Sequence, residues 1–471
     1  MKQNGILLQS ILLATVLTCT LTACSYTDYV REFIEQNAVS GSSVSGAAAG
    51  NTSGSGVSAD STASGSSVSG SAVMTASGSG VYSSAYVTAE MQTAEYWIGK
   101  SYAKDKVLLT ESEIQSVNEK RLKDLSGDSN AVFYDIQNYD EKIKGSVLHM
   151  LMAQEDLLNT SVYDTNGDKI SSDVLKAFMD NCGIKDIADF NNVRYGIVCE
   201  ECVVQKLPAH DKHVITGERA MSDMASLRIS TLMVNEPVLI LYTSLDKAWY
   251  FVMSENCTGW VTKEALAFCD SKNAWQEAQE TDDFIVVSDR KLWLDSENKF
   301  SMGTKLVIAT GEEAQQYMKK YPVHDSYLVR VPVADKDGKL TFKIREIPIG
   351  ENVHRGYLEY TRANILTQAM KFTGSFSGNG DFAEEQVVEC IYSCFGFKLP
   401  LDRKTWTLIP ADNRIDIAVV EDKLTKNDTN RLNPGMILVR KNRPCIYLGY
   451  QDGRAYALTK SDGVMTVKTI E

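Results

Sequence analysis

From Val39 to Ser84 the chain is almost entirely Gly, Ser, Ala and Val, with almost no charge. Ser40-Gly-Ser-Ser-Val-Ser-Gly46 recurs there as Ser64-Gly-Ser-Ser-Val-Ser-Gly70. A stretch of this kind cannot bury enough apolar surface to offset the entropy lost on ordering. Residues 39–90 are therefore read as a disordered tether, with an r.m.s. reach of roughly 40 Å. Folded domains are expected only beyond it.

Ahead of the tether, Lys2 precedes an uncharged apolar run from Ile6 to Leu21. That is the layout of a signal peptide. Leu21-Thr22-Ala23-Cys24 then places small residues just before a cysteine, and it resembles the bacterial lipobox. The resemblance implies cleavage of residues 1–23 and a diacylglyceryl group on the thiol of Cys24. An ordinary secretory signal with a chance cysteine, or a short membrane helix, are the alternatives. Residues 24–38 read as a short membrane-proximal segment. The expected location is the extracytoplasmic face of a membrane, held by lipid.

The chain has 471 residues, enough for about three domains. A formal net charge of -13 argues against nucleic acid as a partner. Of the ten cysteines, Cys19 lies in the leader and Cys24 is the lipidation candidate. The others are scattered through apolar stretches, unlike a disulfide scaffold, and are expected to be buried thiols.

Helical signals dominate first. Thr110 and Glu113 have capping-box spacing. Val147, Leu148, Leu151 and Met152, then Val174, Leu175 and Phe178, follow helical periodicity. From Pro237 the period becomes two. Val238–Tyr242, Ala248–Val252 and Gly259–Val261 read as short strands. A second set comprises Phe284–Val287, Lys305–Ile308, Tyr327–Val333 and Leu340–Ile344. Two small β-barrels in series are expected. Thr361–Phe372 and Glu384–Phe395 read as helices. Met436–Val439, Cys445–Tyr450 and Ala455–Lys460 read as strands, which is an α+β order.

This succession is similar to the NlpC-type murein peptidases. The markers are Val193-Arg-Tyr-Gly196, Ser244-Leu-Asp-Lys-Ala-Trp-Tyr-Phe-Val252 with Gly259-Trp-Val261, and Gly356-Tyr-Leu-Glu-Tyr-Thr-Arg-Ala-Asn-Ile365. Cys394-Phe-Gly-Phe-Lys-Leu-Pro400, Pro434-Gly435 and Ile446-Tyr-Leu-Gly449 complete them. The resemblance covers about Tyr96 to the C-terminus. It implies an α+β multidomain fold: a helical N-terminal clip at 91–215, SH3-like β-barrels at 216–275 and 276–350, and a papain-like α+β domain at 351–471. Catalytic members cut γ-D-glutamyl-diamino acid bonds in peptidoglycan stem peptides with a cysteine, a histidine and a polar third residue.

Carried onto this sequence, those three places fall at Glu384, Arg443 and Thr459. Neither the cysteine nor the histidine is kept, Thr459 stands where the third residue is often His, and the usual aromatic-Gly-Trp-Gly loop is reduced to Phe376-Ser-Gly-Asn-Gly380. A cysteine peptidase needs a thiolate and an imidazole that passes its proton to the leaving amine. The five histidines are His149, His210, His213, His324 and His354, so none follows the entry to the last domain. Cys390 lies about 240° around a helix from Glu384 and leaves the stripe of Glu384, Val388, Ile391 and Phe395. Losing a triad member costs about 10⁶-fold in one serine peptidase. Glu384 and Arg443 are expected instead to form an ion pair, a carboxylate in a first helical turn facing a guanidinium fork.

Two further constellations stand out. Cys199-Glu-Glu-Cys202 with His210-Asp-Lys-His213 has zinc-like donors but no standard finger spacing. A plain strand, a disulfide and a metal site are the readings, and the strand is preferred. In the resembled family the first barrel leans over the cleft, which makes Asp246 and Trp249 candidate ligand-cleft residues. Core or rim packing of Trp249 and a solvated turn at Asp246 are the preferred readings. No metal or cofactor is expected. The function expected is that of a non-catalytic, lipid-anchored envelope protein engaging peptidoglycan stem peptides or a cell-wall enzyme. An active cysteine-type endopeptidase with unrecognised residues, or a structural scaffold, are the rivals.

Overall fold

Thr110 opens its helix as the capping box requires: its hydroxyl accepts from the Glu113 N–H, and the Glu113 carboxylate accepts from the Thr110 N–H at 2.8 Å. The computed structural model describes residues 86–126, 132–153, 157, 162–164, 168–209, 227–279, 283–295, 298–375, 384–401, 403–420, 424–440, 443–461 and 464–470. The leader, Cys24 and nearly all of the tether lie outside them. Among the described residues no helix is long and apolar enough to cross a membrane.

The N-terminal region contains α1 (Ala94–Lys100), β1 (Val107–Leu109), α2 (Glu111–Leu125), β2 (Lys142–Lys144), α3 (Gly145–Met152), α4 (Ser172–Asn181) and β3 (Phe190–Asn192). It does not build a core of its own. Met91, Trp97 and Ile114 join the core of the C-terminal domain, and β1 pairs antiparallel with β18 (Tyr360–Thr361). Ile136, Leu148 and Leu175 pack instead with Tyr195, Leu239 and Trp260 of the first large sheet. The expected clip at 91–215 is thus split between two cores, because each half is too small to bury its apolar stripe alone.

That sheet has seven antiparallel strands in the order β10-β4-β7-β8-β9-β5-β6. They are β4 (Arg194–Val198), β5 (Cys202–Gln205), β6 (Arg228–Leu232), β7 (Pro237–Thr243), β8 (Trp249–Met253), β9 (Thr258–Thr262) and β10 (Leu266–Cys269). It therefore starts well before residue 216, the expected boundary. Tyr195 and Ile197 of β4 and Val204 of β5 are buried strand positions that complete its two faces. Helix α5 (Lys272–Glu277) follows, with Trp275 fully buried and its indole N–H donating to Gly196 O at 2.9 Å.

A second sheet, order β16-β15-β14-β11-β17, occupies the stretch expected for the second barrel. It contains β11 (Phe284–Val287), β14 (Lys305–Ile308), β15 (Ser326–Ala334), β16 (Leu340–Pro348) and β17 (Val353–Arg355), with a side hairpin of β12 (Lys291–Trp293) and β13 (Lys299–Ser301). A helix, α6 (Gly311–Lys320), interrupts it between β14 and β15.

The last domain sets α7 (Arg362–Met370) and α8 (Glu384–Ser393) against a five-stranded sheet. Its order is β19 (Ile417–Val420), β20 (Ile437–Arg440), β21 (Arg443–Gln451), β22 (Arg454–Ser461), β23 (Val464–Ile470). Only the β19–β20 pair is parallel. The β21–β22 turn uses Asp452 and Gly453, both at positive φ, as a two-residue hairpin requires. Every residue of α8 from Glu384 to Tyr392 is buried, so the helix is a central strut rather than a surface element. A buried bidentate pair ties the domain's entry to the sheet: Arg362 Nη1 and Nη2 donate to Asp416 at 3.1 and 3.0 Å, and the Tyr360 hydroxyl donates to the same carboxylate.

Candidate functional site

The first turn of α8 meets the far strands of the last sheet. Glu384 is 5% exposed, and its Oε1 accepts from the Thr459 hydroxyl at 2.6 Å and the Lys460 backbone N–H at 2.7 Å. Burial raises its carboxyl pKa, against the lowering effect of those two hydrogen bonds. Glu385 adds to the rise, and Arg443 opposes it from a distance. Of the positions singled out from the sequence, the structure brings Thr459 into contact with Glu384, while Arg443 makes no hydrogen bond or ion pair with it among the described residues.

The expected Glu384–Arg443 ion pair does not form. Among the described residues, the hydrogen-bond donors to Glu384 come from β22. Arg443 opens β21, exposed, opposite Arg440 in the ladder. The carboxylate is already satisfied in a dry site by short-range donors, whereas the guanidinium keeps its hydration. On the other side of the turn, Gln386 Oε1 accepts from Arg228 Nη2 at 2.5 Å and from the Thr231 hydroxyl at 3.2 Å, so β6 of the first sheet seals the start of α8.

The thiols near this site are built as core. Cys390 is fully buried, and burial pushes its thiol well above the ordinary range. Cys394, fully buried, donates to Cys390 O and Val287 O, and burial holds its pKa at about 12. Cys445 is likewise raised to about 12 by burial. A nucleophilic cysteine needs the opposite environment, one that favours thiolate. The histidines among the described residues, His149, His324 and His354, are all exposed and lie before α7. The loop Phe376–Gly380 lies outside the described residues.

Trp249, a candidate cleft residue, is 2% exposed in the core of the first sheet. Asp246 is a turn carboxylate. Its Oδ1 accepts from the Ser244 hydroxyl at 2.5 Å and the Ala248 N–H at 3.0 Å, while Oδ2 accepts from the Asn181 amide at 3.0 Å. Asp246 fastens the β7–β8 turn to the end of α4, while Trp249 belongs to the core. Cys199 and Cys202 are free thiols, the first donating weakly to Ile197 O at 3.7 Å and the second inside β5. The preferred strand reading holds for Cys202 but not for Cys199, which lies in the bend between β4 and β5. His210 and His213, the other half of that constellation, lie outside the described residues.

A model of the SH3 domain (SH3b1 type) matches residues 223–262, the stretch that holds β6 to β9. Among solved structures, the chain is similar to an NlpC/P60 endopeptidase from Photobacterium damselae subsp. piscicida. The match has a TM-score of 0.51 and 14% identity, and covers 78% of this chain and 87% of that one. The chain carries the NlpC/P60 fold. A second structure, NlpC1 from Trichomonas vaginalis, matches at a TM-score of 0.20 and 8% identity over 60% of this chain and 89% of that one, and adds no weight. No curated protein sequence matches the chain. Glu384, at the start of the central helix and against the sheet, is a hydrogen-bonded carboxyl group that acts as an acceptor.

Proposed function

We propose that this protein is a lipid-anchored envelope protein that engages peptidoglycan stem peptides and does not cleave them. The observation that carries the reading is Glu384, buried at the head of the central helix and held by Thr459 and Lys460 where the resembled peptidases keep a cysteine. Amide hydrolysis by that route needs an imidazole beside a thiolate, and the sequence after His354 contains no histidine. The NlpC/P60 fold, the SH3b1-type match and the retained contact between the helix and β22 support an address in the cell wall. The region 276–350 is read as a second SH3-like module in the same assembly, and Cys24 as the residue that fixes the chain to a membrane. Co-sedimentation of the full chain with insoluble peptidoglycan tests the binding half of the proposal. The protein should pellet with the polymer and be released by soluble stem peptides. A chain that stays in the supernatant at every protein concentration overturns it.

A further inference from the structure

A cavity of about 340 Å³ lies at the opposite end of α8, where the two large sheets meet the last domain. Asn235 and Glu236 of the β6–β7 turn, Lys305 at the start of β14, Tyr357, Glu389 of α8 and Lys398 line it. Glu389 is five residues beyond Glu384, about 7.5 Å along the helix and about 140° around it. The cavity is therefore separate from the site at Glu384.

The charges around the cavity divide into those already matched and those left over. Lys398 pairs with Glu255. Glu201, facing Glu389 and Glu236 from the β4–β5 loop, accepts from the Ser301 hydroxyl and has Lys291 at 4.0 Å. Glu389 is different. It is 5% exposed, and its Oε2 has no hydrogen-bond partner. Lys305 is also without a carboxylate partner among the described residues. Its Nζ stands 4.1 Å from the Phe284 ring centre and 5.9 Å from that of Tyr357. A desolvated group left without a partner costs free energy, more so when charged. Here an unpartnered carboxyl group and an unpartnered lysine face a single space, of a volume at the lower end for small-molecule sites.

We propose that this cavity binds a small zwitterion, a free amino acid or a dipeptide with free termini, with its ammonium on Glu389 and its carboxylate on Lys305. Tyr357, Val307 and Phe397 supply apolar lining, and Asn235 a polar group. Without ligand, burial holds the Glu389 carboxyl well above the carboxylate range, with Glu236 and Glu201 adding to the rise. Burial likewise raises Glu236 to about 8, with Lys398 opposing and Glu201 and Glu255 adding to it. An arriving ammonium displaces a proton from this group of carboxyls, so binding tightens as pH rises from 6 to 8 and protons are released.

Isothermal titration of the full-length protein with the twenty amino acids and with Ala-Ala, at pH 6 and pH 8, tests this. At least one zwitterion should bind, tighter at pH 8, with a heat that depends on buffer ionisation. N-acetylation or C-amidation of that ligand should each weaken binding at least tenfold, as should Glu389→Gln and Lys305→Met. If either variant fails to fold, the capped ligands on the unaltered protein decide the matter. No binding by any of these probes, equal binding of capped forms, or an unchanged affinity in folded Glu389→Gln overturns the assignment.

Discussion

Replacing Glu384 separates its role as a hydrogen-bond acceptor from its charge. In Glu384→Ala the Thr459 hydroxyl and the Lys460 N–H lose the acceptor they hold at 2.6 and 2.7 Å, in a site where the side chain is 5% exposed. Each orphaned buried donor costs about 1–3 kcal/mol, so the variant should lose about 2–5 kcal/mol. Glu384→Gln keeps a carbonyl oxygen for both donors and removes the burial cost of an anion. It should lie within about 1 kcal/mol of the parent or above it at pH 8. The pH dependence has a definite sign. Burial raises the folded-state pKa of Glu384 above its ordinary value of 4.5. The folded state then binds the extra proton, and the parent loses stability as pH rises from about 4.5 through the raised value. The Gln variant has no such loss, so its advantage over the parent should grow between pH 4 and pH 8. Denaturant unfolding of the three proteins, followed by circular dichroism at both pH values, measures this. A Gln variant as unstable as the Ala variant, or a pH-independent gap between Gln and parent, refutes the reasoning.

Asp416→Ala should cost about 3–5 kcal/mol, because Arg362, whose side chain is 9% exposed, loses its bidentate partner and Tyr360 its acceptor; urea unfolding reads the loss. Trp97→Ala should cost about 3–5 kcal/mol and undock the N-terminal segment. Trp97 is 1% exposed, donates to Met91 O at 2.7 Å and packs 5.4 Å from the Tyr456 ring, so limited proteolysis should then cut between residues 100 and 110. Cys24→Ala should move the protein out of the membrane fraction or leave its leader uncut, and an unchanged fractionation and mobility contradicts the anchor.

Local signals were legible where one residue's chemistry determines the backbone. Thr110 with Glu113 marked a helix start, and Phe284–Val287 and Lys305–Ile308 their strands to the residue. What could not be read was set by distant partners. β4 and β5 look like a lead-in to the first barrel, yet their edges are completed by β7, β10, β6 and β9. The clip reads as one domain because its helices are continuous in sequence, while the hydrophobic faces that receive them belong to two cores. At the site, charge complementarity favoured Arg443 as the partner of Glu384. The Lys460 N–H that holds the carboxylate instead is a backbone donor, which no residue type announces. Trp249 was legible as core, because its strand is a run of apolar residues, and it is buried in the first sheet.

The central claim is that the position resembling a peptidase nucleophile holds a carboxyl group that does no hydrolysis. It is tested most directly by incubating the protein with purified muropeptides and counting new amino groups by mass spectrometry over hours at high protein concentration. The account predicts bound but intact stem peptides and no new amines. Cleaved stem peptides, appearing in proportion to protein and absent with a Cys390→Ala variant, would contradict it.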